Sequence, residues 1–167
     1  VFCGAQIRFL KEWVDESGRP RKIDTLPGSR LGLLFFNWDQ SDLLAHIRGL
    51  IVVEGAFDAI AIQQALNKAY GSVVLNPWRV IAGSGSGATH HQLEVMKDMK
   101  NKGYKIIVGG DMDAPGLKMI IKFKEADALT HYAFTGMNKV DWNDVWKTSQ
   151  DPKDFMKWFF ERVKNAK

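Results

Sequence analysis

Lys105-Ile106-Ile107-Val108-Gly109-Gly110-Asp111-Met112-Asp113 decides how the chain is read. An unbroken run of branched apolar residues marks a strand covered on both faces, since neither side has to meet water. The run ends on two glycines and then on two aspartates one residue apart. Leu50-Ile51-Val52-Val53-Glu54-Gly55 has the same design: an apolar run, one acid, one glycine. Open α/β sheets bind ligands beyond the carboxyl ends of their strands. With the strands at 50–53 and 105–108 as neighbours, Glu54, Asp111 and Asp113 converge on one spot. Carboxylates that close repel one another unless a hard cation such as Mg²⁺ lies between them. Metal-dependent phosphate chemistry is the leading expectation.

Outward from these two runs, strand and helix signals alternate. Strand 50–53 leads to a helix from about Phe57 to Lys68, with Phe57, Ile60, Ala61 and Ala65 on its apolar face. Arg79-Val80-Ile81-Ala82 is a strand that enters the glycine-rich turn Gly83-Ser84-Gly85-Ser86-Gly87. A helix then opens at Thr89, where Thr89 and Gln92 have the spacing of a capping box. After the strand at 105–108 come a helix near 115–127, with Leu117, Ile120 and Ile121 inward, and a strand over about Leu129–Phe134. Val140-Asp141-Trp142-Asn143-Asp144 follows, and Phe155, Trp158, Phe159 and Val163 give an amphipathic C-terminal helix. Four βα units in succession predict an α/β fold, Rossmann-like, with a mainly parallel four-stranded sheet flanked by helices.

Residues 1–48 read differently, as a small β-rich segment. Gln6-Ile7-Arg8-Phe9-Leu10 and Leu31-Gly32-Leu33-Leu34-Phe35-Phe36 look like strands joined by a polar, turn-rich stretch from Asp15 to Arg30. Within it, Ser17-Gly18-Arg19-Pro20-Arg21-Lys22 has hairpin-loop composition. Arg19, Arg21, Lys22 and Arg30 are either a solvated loop or a nucleic-acid contact. The expected division is 1–48, a partial N-terminal subdomain; 49–148, the α/β domain; and 149–167, the C-terminal helix.

The totals exclude several classes. A chain of 167 residues holds one ordinary domain with extra segments. Apolar content of 46% with 25% charged residues is that of a soluble globular protein. No stretch approaches the roughly 20 apolar residues of a membrane span, and no signal peptide is visible. The single cysteine, Cys3, leaves no internal disulfide and no cysteine-based zinc site, so a reducing, cytoplasmic setting is expected. Cys3 itself reads as a small buried apolar residue. A net charge of +4 and a pI near 9.2 suit a polyanionic partner without demanding one. The chain starts at Val1, which is expected of a piece of something longer.

Each candidate has a plainer role beside its chemical one. Glu54 is a helix-start carboxylate favoured by amide dipoles, or a metal ligand or general acid–base. Asp113 precedes Ala114-Pro115-Gly116 and suits an N-cap; Asp111 has no such role. The Gly83–Gly87 turn lies where a dinucleotide-binding loop would, but its spacing is Gly-x-Gly-x-Gly, and a dinucleotide leaves Glu54 and Asp113 unexplained. A tight turn whose amides approach a phosphate serves either chemistry. Gly83, Ser84, Gly85 and Lys118 are the nucleotide- or phosphate-binding candidates. His90 and His91 are expected exposed, Trp142 and Trp146 in the core, and Lys97, Lys100, Lys102 and Lys105 on a solvated face. Asp58 is most simply a salt-bridge partner.

The three acidic motifs, in this order, resemble the Toprim domain shared by topoisomerases, bacterial-type primases, overcoming-lysogenization-defect nucleases and recombination-mediator proteins. Glu54-Gly55-Ala56-Phe57-Asp58-Ala59 is similar to that family's Glu-Gly-x-x-Asp-Ala element, and Asp111-Met112-Asp113-Ala114-Pro115-Gly116 to its Asp-x-Asp-x-x-Gly element. Asp141-Trp142-Asn143-Asp144 looks like the Asp-x-Asn-Asp element of primases from phages, plasmids and mobile elements, and the likeness spans residues 49 to about 148. Topoisomerases usually carry a glutamate where Pro115 stands here. The resemblance implies that Glu54, Asp111 and Asp113 are catalytic and, with Asp141 and its neighbour Asp144, bind Mg²⁺ or Mn²⁺. The implied reaction joins ribonucleoside triphosphates into short RNA primers on a single-stranded DNA template, with a replicative helicase among the implied partners. A bacterial-type primase also has a zinc-binding domain and a fuller N-terminal subdomain, so the chain alone is expected to synthesise little. A Toprim nuclease and a non-catalytic nucleotide-binding module are the rival expectations.

Overall fold

Asp15 closes the first turn of the chain. Its carboxylate accepts from the backbone N–H groups of Ser17 and Arg19 at 2.9 and 3.0 Å, the local turn that aspartate favours. The flanking segments, β1 (Gln6–Val14) and β2 (Pro20–Thr25), pair antiparallel. A polar stretch expected to be loop therefore supplies the second strand. Among the described residues of the strand expected at Leu31–Phe36, Gly32 and Leu33 turn, Phe35 is buried, and Phe36 makes an isolated bridge to Ala82. The Asp15 turn sets Pro20 opposite Val14, so β1 finds its partner close by. This computed structural model describes residues 6–27, 29–30, 32–33, 35–38, 47–71, 76–83 and 87–166, with side chains excluded at 6–13 and 21–24.

Among the described residues the main sheet has five strands. β3 (Gly49–Val53) is buried at every residue, as its apolar run requires. α1 (Ala56–Tyr70) leads from it to β4 (Trp78–Ala82), which pairs parallel to β3. α2 (His90–Asn101) then crosses to β5 (Lys105–Met112), parallel to β3 on its other side. α3 (Ala114–Glu125) returns to β6 (His131–Asn138), parallel to β5. Helices α4 (Trp142–Thr148) and α5 (Pro152–Glu161) follow, and the two-residue β7 (Lys164–Asn165) pairs antiparallel with β6. The order is β4-β3-β5-β6-β7. The four expected parallel strands are all present; β7 is too short to carry a pattern of its own.

Alternate residues of β3 face opposite layers, as the period of a strand dictates. Leu50 and Val52, with Ile81, Ile106 and Val108, pack against Leu93 and Met96 of α2 and Met119 and Phe123 of α3. Ile51 and Val53, with Val80, Ala82 and Ile107, pack against Ile62 and Leu66 of α1, Trp142 of α4, and Phe155 and Phe159 of α5. Each such valine, leucine, isoleucine, methionine or phenylalanine contributes about 1.5–3 kcal/mol when fully buried. Among the described residues no helix is long and apolar enough to cross a membrane.

Two helices are rotated from their expected faces. In α1 the buried residues are Asp58, Ala59, Ala61, Ile62, Ala65 and Leu66, while Phe57 and Ile60 are exposed. In α3 they are Gly116, Met119, Ile120 and Phe123, while Leu117 and Ile121 are exposed. The first turn of α3 rests against the end of β5, and in α1 Asp58 accepts from the Asn143 N–H at the start of α4. These contacts set the rotation, overriding the choice that hydrophobicity alone suggests.

Candidate functional site

β3 leads to β4 on one side and the chain then crosses to β5 on the other, so the strand order reverses between β3 and β5. A crevice opens at such a reversal, beyond the carboxyl ends of the strands. Val53 pairs with Gly109 on one side and Ala82 on the other. Glu54, the next residue, emerges between Gly110-Asp111 and Gly83, whose N–H donates to the Val53 carbonyl at 3.0 Å.

The glycines of both motifs are needed because something lies where a side chain would stand. A Cβ on Gly55 would lie 2.7 Å from Oδ2 of Asp58. A Cβ on Gly110 would lie 2.9 Å from the Gly116 carbonyl oxygen, and one on Gly116 only 2.3 Å from the carbonyl oxygen of Asp111. The first turn of α3 thus rests directly on the end of β5. Asp111 lies in the strand itself, which continues to Met112.

Asp113 and Asp141 each open a helix. The Asp113 carboxylate accepts from the Gly116 N–H at 2.8 Å and caps α3, with Pro115 in the first turn. The Asp141 carboxylate accepts from the Asp144 N–H at 2.7 Å and caps α4. Asp144 is exposed and pairs with Lys147 at 3.1 Å. Asp58 is only 6% exposed and accepts from the backbone N–H of Asn143 at 3.0 Å. Among the described residues it forms no salt bridge, and it is the site residue that pattern reading missed. The signal was present: Asp58, Ile62 and Ala65 share a helical stripe that the buried face of α1 confirms.

These acids feel one another. Burial, then the Asp113 charge, raises the Glu54 carboxyl above the ordinary carboxylate range. Burial pushes Asp58 up to about 6, with Asp141 and Glu54 adding repulsion against the lowering effect of its amide donors. Burial pushes Asp111 up to about 7, and Asp58, Glu54, Asp141 and Asp113 all raise it further. Acids from β3, α1, β5 and the starts of α3 and α4 therefore share one electrostatic neighbourhood. Among the described residues, no lysine, arginine or histidine forms an ion pair with any of these five.

An all-carboxylate set suits a hard, oxygen-seeking cation. Among the described residues, no three acids stand close enough to ligate one ion as they are. The geometry explains this: Asp113 and Asp141 are turned back to cap their own helices, and Asp58 faces backbone amides. Mg²⁺ typically takes one or two carboxylates directly and keeps several waters, so the residues present fit such an ion.

The remaining candidates lie apart or are outside the description. Gly83 is at the acidic edge, whereas Ser84 and Gly85 lie outside the described residues. Lys118 is exposed on α3; one turn later, Lys122 donates to the Ala88 carbonyl at the end of the glycine-rich turn. Arg19 and Arg30 are exposed, and the side chains of Arg21 and Lys22 lie outside the description. His90 and His91 are exposed, Trp142 is fully buried and Trp146 packs against the same core. Of the lysine series, Lys100 pairs with Asp127, Lys102 with Asp98, and Lys105 stands at the amino end of β5, opposite Asp111. Cys3 lies outside the described residues.

A Toprim-like family profile matches residues 51–146, which include every acid of the site. The chain belongs to the Toprim-like family. Solved structures similar to this Toprim domain include a DNA primase domain from Pseudomonas aeruginosa, with a TM-score of 0.62, 14% identity, and coverage of 98% of this chain and 58% of that one. A DnaG primase catalytic domain bound to single-stranded DNA gives 0.59 at 16% identity, over 91% of this chain and 46% of that one. The Escherichia coli primase catalytic core gives 0.57 at 16% identity, over 92% and 51%. At such identities the likeness is one of fold, and the Toprim chain spans about half the length of these structures. No curated protein matches it.

Proposed function

We propose that this Toprim domain belongs to a DNA primase and takes part in metal-dependent synthesis of RNA primers on single-stranded DNA. What supports the proposal is that Glu54 and Asp111 stand at the ends of neighbouring parallel strands at the strand reversal, within electrostatic reach of Asp113 and Asp141, with no ion pair to any of them among the described residues. Glu54, Asp111, Asp113 and Asp141 would hold Mg²⁺ or Mn²⁺. When bound, such an ion stabilises negative charge on a transferring phosphoryl group and favours the ionised form of an attacking hydroxyl.

The chain's own residues supply the rest. Asp111, whose carboxyl is pushed up to about 7 by burial and by its acidic neighbours, would give up its remaining proton on binding a cation. The start of the glycine-rich turn at Gly83, with Lys118, is assigned to the triphosphate of a ribonucleotide. The cationic residues Arg19, Arg21, Lys22 and Arg30, on and beside β2, are assigned to the template backbone, where lysine and arginine contribute salt-dependent, sequence-independent affinity. Residues 1–48 act as an accessory template-facing segment, residues 49–148 carry the chemistry, and 149–167 brace it.

The test supplies Mn²⁺, a single-stranded template and labelled ribonucleotides, and in parallel a supercoiled plasmid alone. Short RNA products that Asp111→Asn abolishes are expected. Plasmid nicking without ribonucleotide incorporation would overturn the primase assignment in favour of a nuclease.

A further inference from the structure

Asp58 is the one buried acid among the described residues. Its carboxylate meets two backbone donors: the N–H of Asn143, 85 positions along the chain, and the N–H of Gly55. The first amides of any helix lack partners inside it. In α4, Asp141 satisfies the amide of Asp144, and Asp58 satisfies that of Asn143. The α4 start is therefore held once by its own cap and once by α1. Gly55 leaves the space in which this second hold is made, since a Cβ there would lie 2.7 Å from Oδ2 of Asp58.

We infer that Asp58 is a positioning residue, which fixes the beginning of α4, and with it the Asp141 carboxylate, against the Glu54 end of α1. Asp113 and Asp141 each accept one amide within their own helix start yet stay at least partly open to solvent, whereas Asp58 is buried and accepts from the amide of a separate element. Partners that orient a ligand typically matter 10–100-fold to metal affinity. This role rests on the cation-binding site proposed above, and it gives the acid of the Glu-Gly-x-x-Asp element an architectural part in that site.

The test measures two things on the full chain. The first is Mn²⁺ affinity, by titration, for wild type, Asp58→Ala, Asp58→Asn, Asp141→Asn and the Asp58→Ala/Asp141→Asn pair. Asp58→Ala is expected to weaken binding about 10-fold, and Asp58→Asn, which keeps an acceptor for the Asn143 N–H, to recover most of it. Asp58→Ala should add little once Asp141 is already neutral. A loss in Asp58→Asn as large as in Asp58→Ala would overturn the inference and make Asp58 a ligand. Full additivity in the double variant would also overturn it.

The second measurement is hydrogen exchange at the Asn143 amide without metal. It is expected to be slow in wild type and Asp58→Asn and fast in Asp58→Ala. Unchanged exchange in Asp58→Ala overturns the positioning role. If wild type binds no Mn²⁺ yet Asn143 exchange follows this order, the cation site fails while the tether between α1 and α4 stands.

Discussion

Gly116 has no room for any side chain because the backbone of Asp111 occupies that space. A methyl group there would lie 2.3 Å from the Asp111 carbonyl oxygen and 2.6 Å from its nitrogen. Neither atom can swing away as a side chain could. Gly116→Ala must therefore lift the first turn of α3 off the end of β5. The expected cost is about 1–3 kcal/mol, the usual range for overpacking, read from urea denaturation. Mn²⁺ affinity should fall with it, since Asp113 caps the displaced turn. A variant with wild-type stability would show that α3 does not rest on β5 as described.

Asp111→Asn keeps the shape of the side chain and removes its charge. The residue is partly exposed, so relief of repulsion from Asp58, Glu54, Asp141 and Asp113 is expected to stabilise the metal-free protein by no more than about 1 kcal/mol after solvent screening. Mn²⁺ affinity should drop by more than about tenfold, the lower end of what loss of even a supporting partner costs. Calorimetric titration and thermal melting on the same sample check both. Unchanged affinity would remove Asp111 from the site.

The four parallel strands and the acids at their ends were legible because a strand buried on both faces can only be an apolar run, and an acid at its end is conspicuous. Val53-Glu54 and Gly110-Asp111 carry that signal in a few residues. Helix rotation was not legible. Phe57, Leu117 and Ile121 are as apolar as the buried Ile62, Leu66 and Phe123, so hydrophobicity alone does not choose the face; distant contacts choose it, Asp58 with the Asn143 amide and Gly116 with β5. The error over Asp58 follows from the same cause, for a helix read out of phase turns its buried acid outward. The strand at Pro20–Thr25 escaped because polar residues on a two-stranded ribbon leave no apolar pattern, while the Asp15 turn that nucleates it was hidden in loop composition.

Thr89→Ala separates stability from chemistry. Thr89 accepts from the Gln92 N–H at 3.2 Å, donates to the Gly32 carbonyl at 2.6 Å, and its own N–H donates to the Gln92 side chain at 2.9 Å. Loss of a helix cap of this kind costs about 1 kcal/mol, and chemical denaturation should show it. Thr89 caps α2, on the layer that also holds Leu93 and Met96, and none of the site acids takes part in that cap. Mn²⁺ affinity is therefore expected to stay at the wild-type value. A parallel fall in affinity would mean that the acidic site depends on the α2 layer.

Metal-free stability should decline as the solution becomes less acidic. In the unfolded chain Asp58 and Asp111 ionise near 3.8, whereas in the folded protein they do so only near 6 and 7. Between those limits the folded state holds more protons than the unfolded state, so stability falls as pH rises from about 4 to about 7 and levels off above. A divalent ion reverses the preference, because it favours the ionised carboxylates that burial and repulsion oppose. Melting temperatures in chelator should thus drop between about pH 5 and pH 7, less steeply in Asp111→Asn, and the gain from Mg²⁺ should be larger at the higher pH. Equal slopes in wild type and Asp111→Asn would mean that Asp111 ionises normally in the folded protein, and the crowding of acids around it would have to be abandoned.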